Sequence, residues 1–137
     1  MTRIDFYQLN ADNQRADRVA CQLCQKAYEN SQTTLLLTEN AEQTAQIDKL
    51  LWVFSDDSFV PHDTEQDDSF QTPILILDIA PEDCERQLLI NLSNRIPDNH
   101  AQYERIIELV TEDNKQLARK HYSYYRERGY PLNHYNL

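Results

Sequence analysis

Glycine is nearly absent from this chain: Gly129 is the only one in 137 residues. A phosphate-cradling loop or a dinucleotide fingerprint needs several glycines, so that the backbone can turn tightly and approach an anion closely. Neither can be written here, and nor can the Gly-x-Ser-x-Gly turn that exposes a hydrolase nucleophile. A nucleotide-using enzyme on this chain would lack both its loop and a paired base and nucleophile. Cysteine is sparse and odd in number, with three, which argues against a disulfide framework. Cys21 and Cys24 have redox or metal spacing, but they fall mid-helix, whereas a reactive pair favours a helix N-terminus. A structural zinc needs four ligands. Cys84 is remote, and His62, His100, His121 and His134 are scattered, so neither a metal nor a cofactor is expected.

Long apolar runs are missing too. No stretch approaches the roughly 20 residues of a membrane span. Met1-Thr2-Arg3-Ile4-Asp5 does not open a secretory signal, and a cytoplasmic location is the default expectation. Positive charge is scarce, with 13 lysines and arginines against 23 acids and a net charge of −10. That balance disfavours broad binding to duplex DNA, which rests on many phosphate contacts. The acidic segment 55–70 lacks the glycine of a calcium loop and reads as a solvated loop.

What remains alternates between strand and helix patterns. Strands are predicted at Ile4–Leu9, Thr34–Thr38, Ile74–Leu77, Leu88–Leu92 and Arg105–Val110; Leu35–Leu37 and Ile74–Leu77 have the continuous apolar character of buried parallel strands. Helices are predicted over Arg15–Tyr28, Ala41–Phe54 and Glu112–Arg128. Ala16, Val19, Ala20, Leu23, Cys24 and Ala27 form the apolar stripe of the first. Asn40 and Gln43 form a capping box for the second. Thr111 is its N-cap counterpart on the third, with Gly129 at C′ and Pro131 beyond. The order implies one α/β domain over residues 1–137, a mainly parallel central sheet flanked by helices, Rossmann-like without the glycine loop.

Two features point to function. From Lys115 to Arg128 five cations face one acid, Glu127, a local +4 inside a −10 chain, and five of the eight tyrosines lie between Tyr122 and Tyr135. At about 100° per residue, Arg119, Tyr122 and Arg126 all fall within about 40° of Lys115. Leu117, His121 and Tyr124 lie on the opposite side, with Ala118 and Tyr125 between. Such a row is a solvated charged face, or an anion site with an aromatic wall, since guanidinium grips carboxylate or phosphate by a two-pronged bond. A direct single-stranded nucleic-acid-binding module is one form of that site. In the second helix, Trp52 falls about 140° from Ile47, off the stripe of Ile47, Leu50, Leu51 and Phe54, and reads as an exposed aromatic.

The block Asn114-Lys-Gln-Leu-Ala-Arg-Lys-His-Tyr-Ser-Tyr-Tyr-Arg-Glu-Arg-Gly129 with Tyr130-Pro-Leu-Asn133, the block Ile47-Asp-Lys-Leu-Leu-Trp52 with Ser58-Phe-Val-Pro-His62, and the opening Phe6-Tyr7-x-Leu9 together resemble the chi subunit of bacterial DNA polymerase III. The resemblance implies a non-catalytic accessory subunit of the clamp loader, with DNA met only indirectly and no membrane contact. It implies two partners: the psi subunit, and the acidic, phenylalanine-ending tail of single-stranded DNA-binding protein. A helicase related to the XPD type is a further partner implied for the psi surface. By the same resemblance Arg119 holds the tail's terminal carboxylate and Lys115 meets its acidic residues. Tyr122 lines the phenylalanine pocket with Val110, Gly129 and Leu132, and Arg126 is a nearby basic contact. Ser123 stands where another member has lysine. Trp52 and Phe59, with Val60 and Pro61, match the psi-binding surface.

Overall fold

One parallel sheet organises the computed structural model, which describes residues 2–9, 15–53, 60–64, 72–82 and 86–137. Its strands are β1 (Arg3–Gln8), β2 (Thr34–Leu37), β3 (His62–Asp63), β4 (Ile74–Leu77), β5 (Leu88–Asn91), β6 (Arg105–Val110) and β7 (Leu132–Asn136). Helices α1 (Ala16–Glu29), α2 (Ala41–Val53) and α3 (Lys115–Glu127) lie between them, with a 3-10 turn at His100–Gln102. The strands line up as β3-β4-β2-β5-β6-β1-β7, and every adjacent pair is parallel.

That order dictates where the helices go. Parallel crossovers are right-handed, so connections stepping one way along the sheet lie on one face and those stepping back lie on the other. β1 to β2 and β2 to β3 step toward the β3 edge and carry α1 and α2. β4 to β5, β5 to β6 and β6 to β7 step back, and the last of them carries α3.

The core divides accordingly. Val19, Ala20, Cys21, Cys24 and Ala27 of α1 and Ile47 and Leu51 of α2 pack on Leu36, Ile74, Ile76, Leu88, Ile90, Ile107 and Leu109. On the other face Tyr125 joins Ile4, Phe6, Leu35, Leu37, Leu75, Leu89, Ile106 and Val110, with Ala80, Ile96 and Tyr103 from the returning connections. Neighbouring strand residues thus serve opposite faces, the period-2 rule of a pleated strand.

The expected α/β architecture is present, and its sheet is parallel throughout the described residues. Two strands were not anticipated. β3 is two residues long, inside the segment read as loop. β7 pairs with β1 at the opposite edge. The third helix starts later than predicted. Its N-cap is Asn114, and residues 111–114 form a turn in which Thr111 N–H donates to Asn114 Oδ1 at 2.8 Å and Asn114 Nδ2 donates to the Leu109 carbonyl at 3.0 Å. The Asn40–Gln43 box is present in shifted form: Gln43 N–H donates to Asn40 Oδ1 at 2.8 Å, while Gln43 Oε1 accepts from Glu39 N–H at 2.7 Å. Phe54, Cys84 and most of the acidic segment lie outside the described residues.

α3 ends as its glycine predicts. Gly129 has φ +80°. Gly129 N–H donates to the Arg126 carbonyl at 3.0 Å, and Tyr130 N–H to that of Tyr125 at 3.3 Å. This is the Schellman pattern, with its apolar contact supplied by the Tyr125 and Tyr130 rings, 5.9 Å apart.

Candidate functional site

α3 is fastened by its buried edge. His121 and Tyr125 are buried, Ala118 and Tyr124 pack against the same core, and the centre of the stripe is therefore Ala118–His121–Tyr125. This corrects the sequence reading, which put Tyr125 at the margin and Leu117 and Tyr124 opposite the cationic row. Under the stripe sits a polar knot. Glu108 Oε1 accepts from Tyr125 Oη at 3.2 Å and Asn91 Nδ2 at 3.1 Å, and lies 3.2 Å from His121 Nδ1. His121 Nε2 lies 3.2 Å from the Asn94 carbonyl.

Burial alone would lower the His121 pKa, but the hydrogen bond to Glu108, that carboxylate's charge and the Asn94 carbonyl together raise it above the ordinary 6.5. A histidine raised on folding contributes stability that is complete below the unfolded value and is lost as pH rises through the folded one. His100 shifts the other way, lowered by burial and then by the Arg128 charge, with Asp98 partly opposing. Its influence therefore falls at and below the unfolded value. Melting temperature should consequently fall as pH rises above about 6.5, and His121→Gln should flatten that slope; an unchanged slope would remove His121 as its source.

Beside the buried edge, Tyr122 stands over Phe6, ring centroids 5.4 Å apart and tilted at 56°. Phe6 is buried on the second strand from the β7 edge, and Tyr122 is 37% exposed. The α3 flank carrying Tyr122 therefore looks toward that edge. Lys115, Arg119 and Arg126 share this flank, spanning about 16 Å at 1.5 Å per residue.

Arg119 and Arg126 are exposed, and their side chains make no hydrogen bond or ion pair among the described residues. Lys115 is engaged: its Nζ is 3.0 Å from Glu112 Oε1, a consequence of the late helix start. Val110 is buried and Leu132 half-buried on this face. Gly129 is exposed at the helix end. The structure thus gathers Arg119, Tyr122, Arg126, Val110 and Leu132 on one side of the sheet and adds Phe6 as a floor. Sequence reasoning used Phe6 only for family likeness; its strand alternation was the available signal. A shallow depression also borders Arg119 on the other side, lined by Lys120, Ser123, Tyr124 and Glu127.

At the far end of the molecule Trp52 is 57% exposed, as its off-stripe position predicted, and Val53 is 71% exposed beside it. Val53 was missed, although it falls about 120° from Ile47 on the same wheel. The Trp52 ring lies 5.0 Å from that of His62, which is held by Asp48 Oδ1 and the Val60 carbonyl, both at 2.8 Å. Val60 needs correction as a contact residue: it is 3% exposed and belongs to the core. Its link to this surface is its carbonyl, which holds the His62 ring that meets Trp52. Pro61 is half-buried, and Phe59 lies outside the described residues.

The crevice where a doubly wound sheet would take a nucleotide, between strands whose connections leave on opposite faces, falls between β2 and β5. Arg95 fills it, donating to the carbonyls of Asp78 at 2.5 Å and Thr38 at 3.4 Å and pairing with Glu39 at 3.7 Å. The Cys21 and Cys24 thiols are buried in helix packing. Burial, then Asp17, pushes Cys21 up to about 12, and burial raises Cys24 as well. Among the described residues no cluster of three metal-ligating side chains occurs, and no helix is long and apolar enough to cross a membrane.

The sequence matches the family model of the DNA polymerase III chi subunit, HolC, over residues 1–133. The chain belongs to this family. It is 35% identical over 140 residues to the DNA polymerase III subunit chi of Pseudomonas aeruginosa, a match covering 100% of this chain and 98% of the relative. The corresponding subunit of Haemophilus influenzae is 31% identical over 125 residues, covering 88% of this chain and 87% of the relative. That of Escherichia coli is 27% identical over 142 residues, with 97% of each covered. The chi family places this chain in DNA replication, and the blocks around Trp52 and along α3 fall within the matched residues.

Proposed function

We propose that this chi-family chain is a non-catalytic adaptor of the replicative polymerase, acting in the cytoplasm at the replisome. It would link the clamp loader, through the psi subunit, to the acidic C-terminal tail of single-stranded DNA-binding protein. The observation that carries the reading is the pair of exposed, unpartnered cations Arg119 and Arg126 beside Tyr122 on an otherwise acidic molecule. In this reading Arg119 grips the tail's terminal carboxylate by a two-pronged bond. Tyr122, over Phe6 and next to Val110, Leu132 and Gly129, receives the terminal phenylalanine ring. Lys115 and Arg126 meet the tail's other carboxylates. Overall negative charge keeps nucleic acid away, so the anion selected is a peptide.

A short acidic peptide ending in phenylalanine should bind in calorimetry with a Kd on the order of 1 μM, and amidating its C-terminus should weaken it by at least tenfold. Equal binding of acid and amide would refute carboxylate recognition. A labelled single-stranded oligonucleotide should not be retained at low salt.

Trp52 and Val53, with Pro61 nearby, form the second surface, for psi, to which the family resemblance adds Phe59; a repair helicase of the XPD type would compete there. An exposed aromatic on a rigid helix is a typical hot-spot anchor. Trp52→Ala should abolish co-purification with psi while leaving tail binding unchanged. Loss of both activities would indicate misfolding.

A further inference from the structure

The α1 side of the sheet carries a groove of about 540 Å³ next to β1 and β7, bounded by Val19, Leu23 and Lys26 of α1 and by Tyr7, Ile107 and Tyr135 of the sheet. It belongs neither to the α3 flank nor to the Trp52 surface. Parallel sheets are ordinarily covered on both faces. Here Tyr135 is 45% and Leu137 47% exposed along the open margin.

The wall of this groove is held rigid. Asp5, fully buried, takes Arg105 Nε at 2.6 Å, Arg3 Nε at 3.2 Å and Asn133 Nδ2 at 3.0 Å. Arg105 also donates to Tyr7 Oη at 2.5 Å, and the Tyr7 and Tyr135 rings meet edge to face at 5.4 Å. Among the described residues, Lys26 and Arg105 are the charged side chains lining the groove. On a chain with 23 acids, a lining whose described side chains include cations and no acid is complementary to negative charge.

We propose that this groove docks an acidic amphipathic helix of a partner protein, which would complete the helical layer over β1 and β7. Aliphatic residues Val19, Leu23 and Ile107 make the floor, as apolar anchors at helical spacing require. Lys26 and Arg105 meet carboxylates on the helix's flanks. Edge-to-face tyrosines offer no flat platform for stacked bases, which favours protein over nucleic acid.

The test is a nitrogen-15 NMR titration of the full chain with a synthetic helix carrying leucine at i, i+3, i+4 and i+7 and glutamate on both flanks. Amides of Leu23, Lys26 and Tyr135 should shift, with no change in Arg119→Ala protein. Lys26→Glu should weaken binding at least fivefold, and Lys26→Arg should preserve it. Absence of shifts at millimolar peptide, an equal response to a lysine-flanked peptide, or shifts confined to the α3 flank would overturn the proposal. So would an oligonucleotide that moves Tyr7 and Tyr135 when the peptide does not. Because these shifts are read far from Arg119, they stand or fall independently of tail binding.

Discussion

Tyr125→Ala should destabilise the protein by about 3–5 kcal/mol, measured by chemical denaturation. Tyr125 is 0% exposed, and its ring meets those of Phe6 at 6.4 Å, Tyr124 at 5.7 Å, Tyr130 at 5.9 Å and His100 at 6.2 Å. Truncation removes those contacts and leaves a cavity between α3 and the sheet. It also takes a donor from Glu108, whose carboxylate is buried. Burial, then the Glu108 charge, raises the phenol's pKa, so the hydroxyl stays protonated and available to donate. Tyr125→Phe keeps the ring and should cost about 1–2 kcal/mol. A loss below about 1 kcal/mol for the alanine variant would show that Tyr125 is not the centre of the α3 interface.

Arg119→Ala should weaken the acidic phenylalanine-ending peptide by about 2 kcal/mol or more, roughly 30-fold. The side chain is exposed and unpartnered, so removing it leaves no buried charge behind and should not move the melting temperature. Arg119→Lys keeps the charge but loses the planar fork, and should recover only part of the affinity. Lys115→Ala should matter less, because that lysine already pairs with Glu112 at 3.0 Å. Whatever Lys115 and Arg126 contribute should fade with added salt, as exposed charges are screened within about 10 Å at 0.1 M. Calorimetry in which Arg119→Ala binds like the parent chain would remove the site from α3.

The interior strands and all three helices were legible because apolar runs and helical stripes are local signals. The edges were not. Leu132–Asn136 is mostly polar, contains no β-branched residue and is largely exposed; only its pairing with β1 makes it a strand. His62–Asp63 is too short to show a period. The start of α3 was misplaced because Asn114 spends its side chain on a turn, bonding Thr111 and Leu109, where a threonine followed by acids resembled a cap. Val60 matched the psi-binding surface by family resemblance, yet it is buried in the core on the α1 and α2 side of the sheet.

From the residues alone follow the α/β alternation, the exclusion of glycine-dependent nucleotide loops, and the cationic row on one flank of the last helix. These depend on composition and on spacings of a few residues. The tertiary structure decided which aromatic lies under that row, why His121 and Tyr125 anchor it, and that a second groove lies behind the sheet. Those outcomes depend on partners far apart in the chain: Arg105 reaches Asp5 across 100 positions and Asn133 reaches it across 128. No local pattern encodes such pairings, which exist only once the parallel sheet sets β1 between β6 and β7.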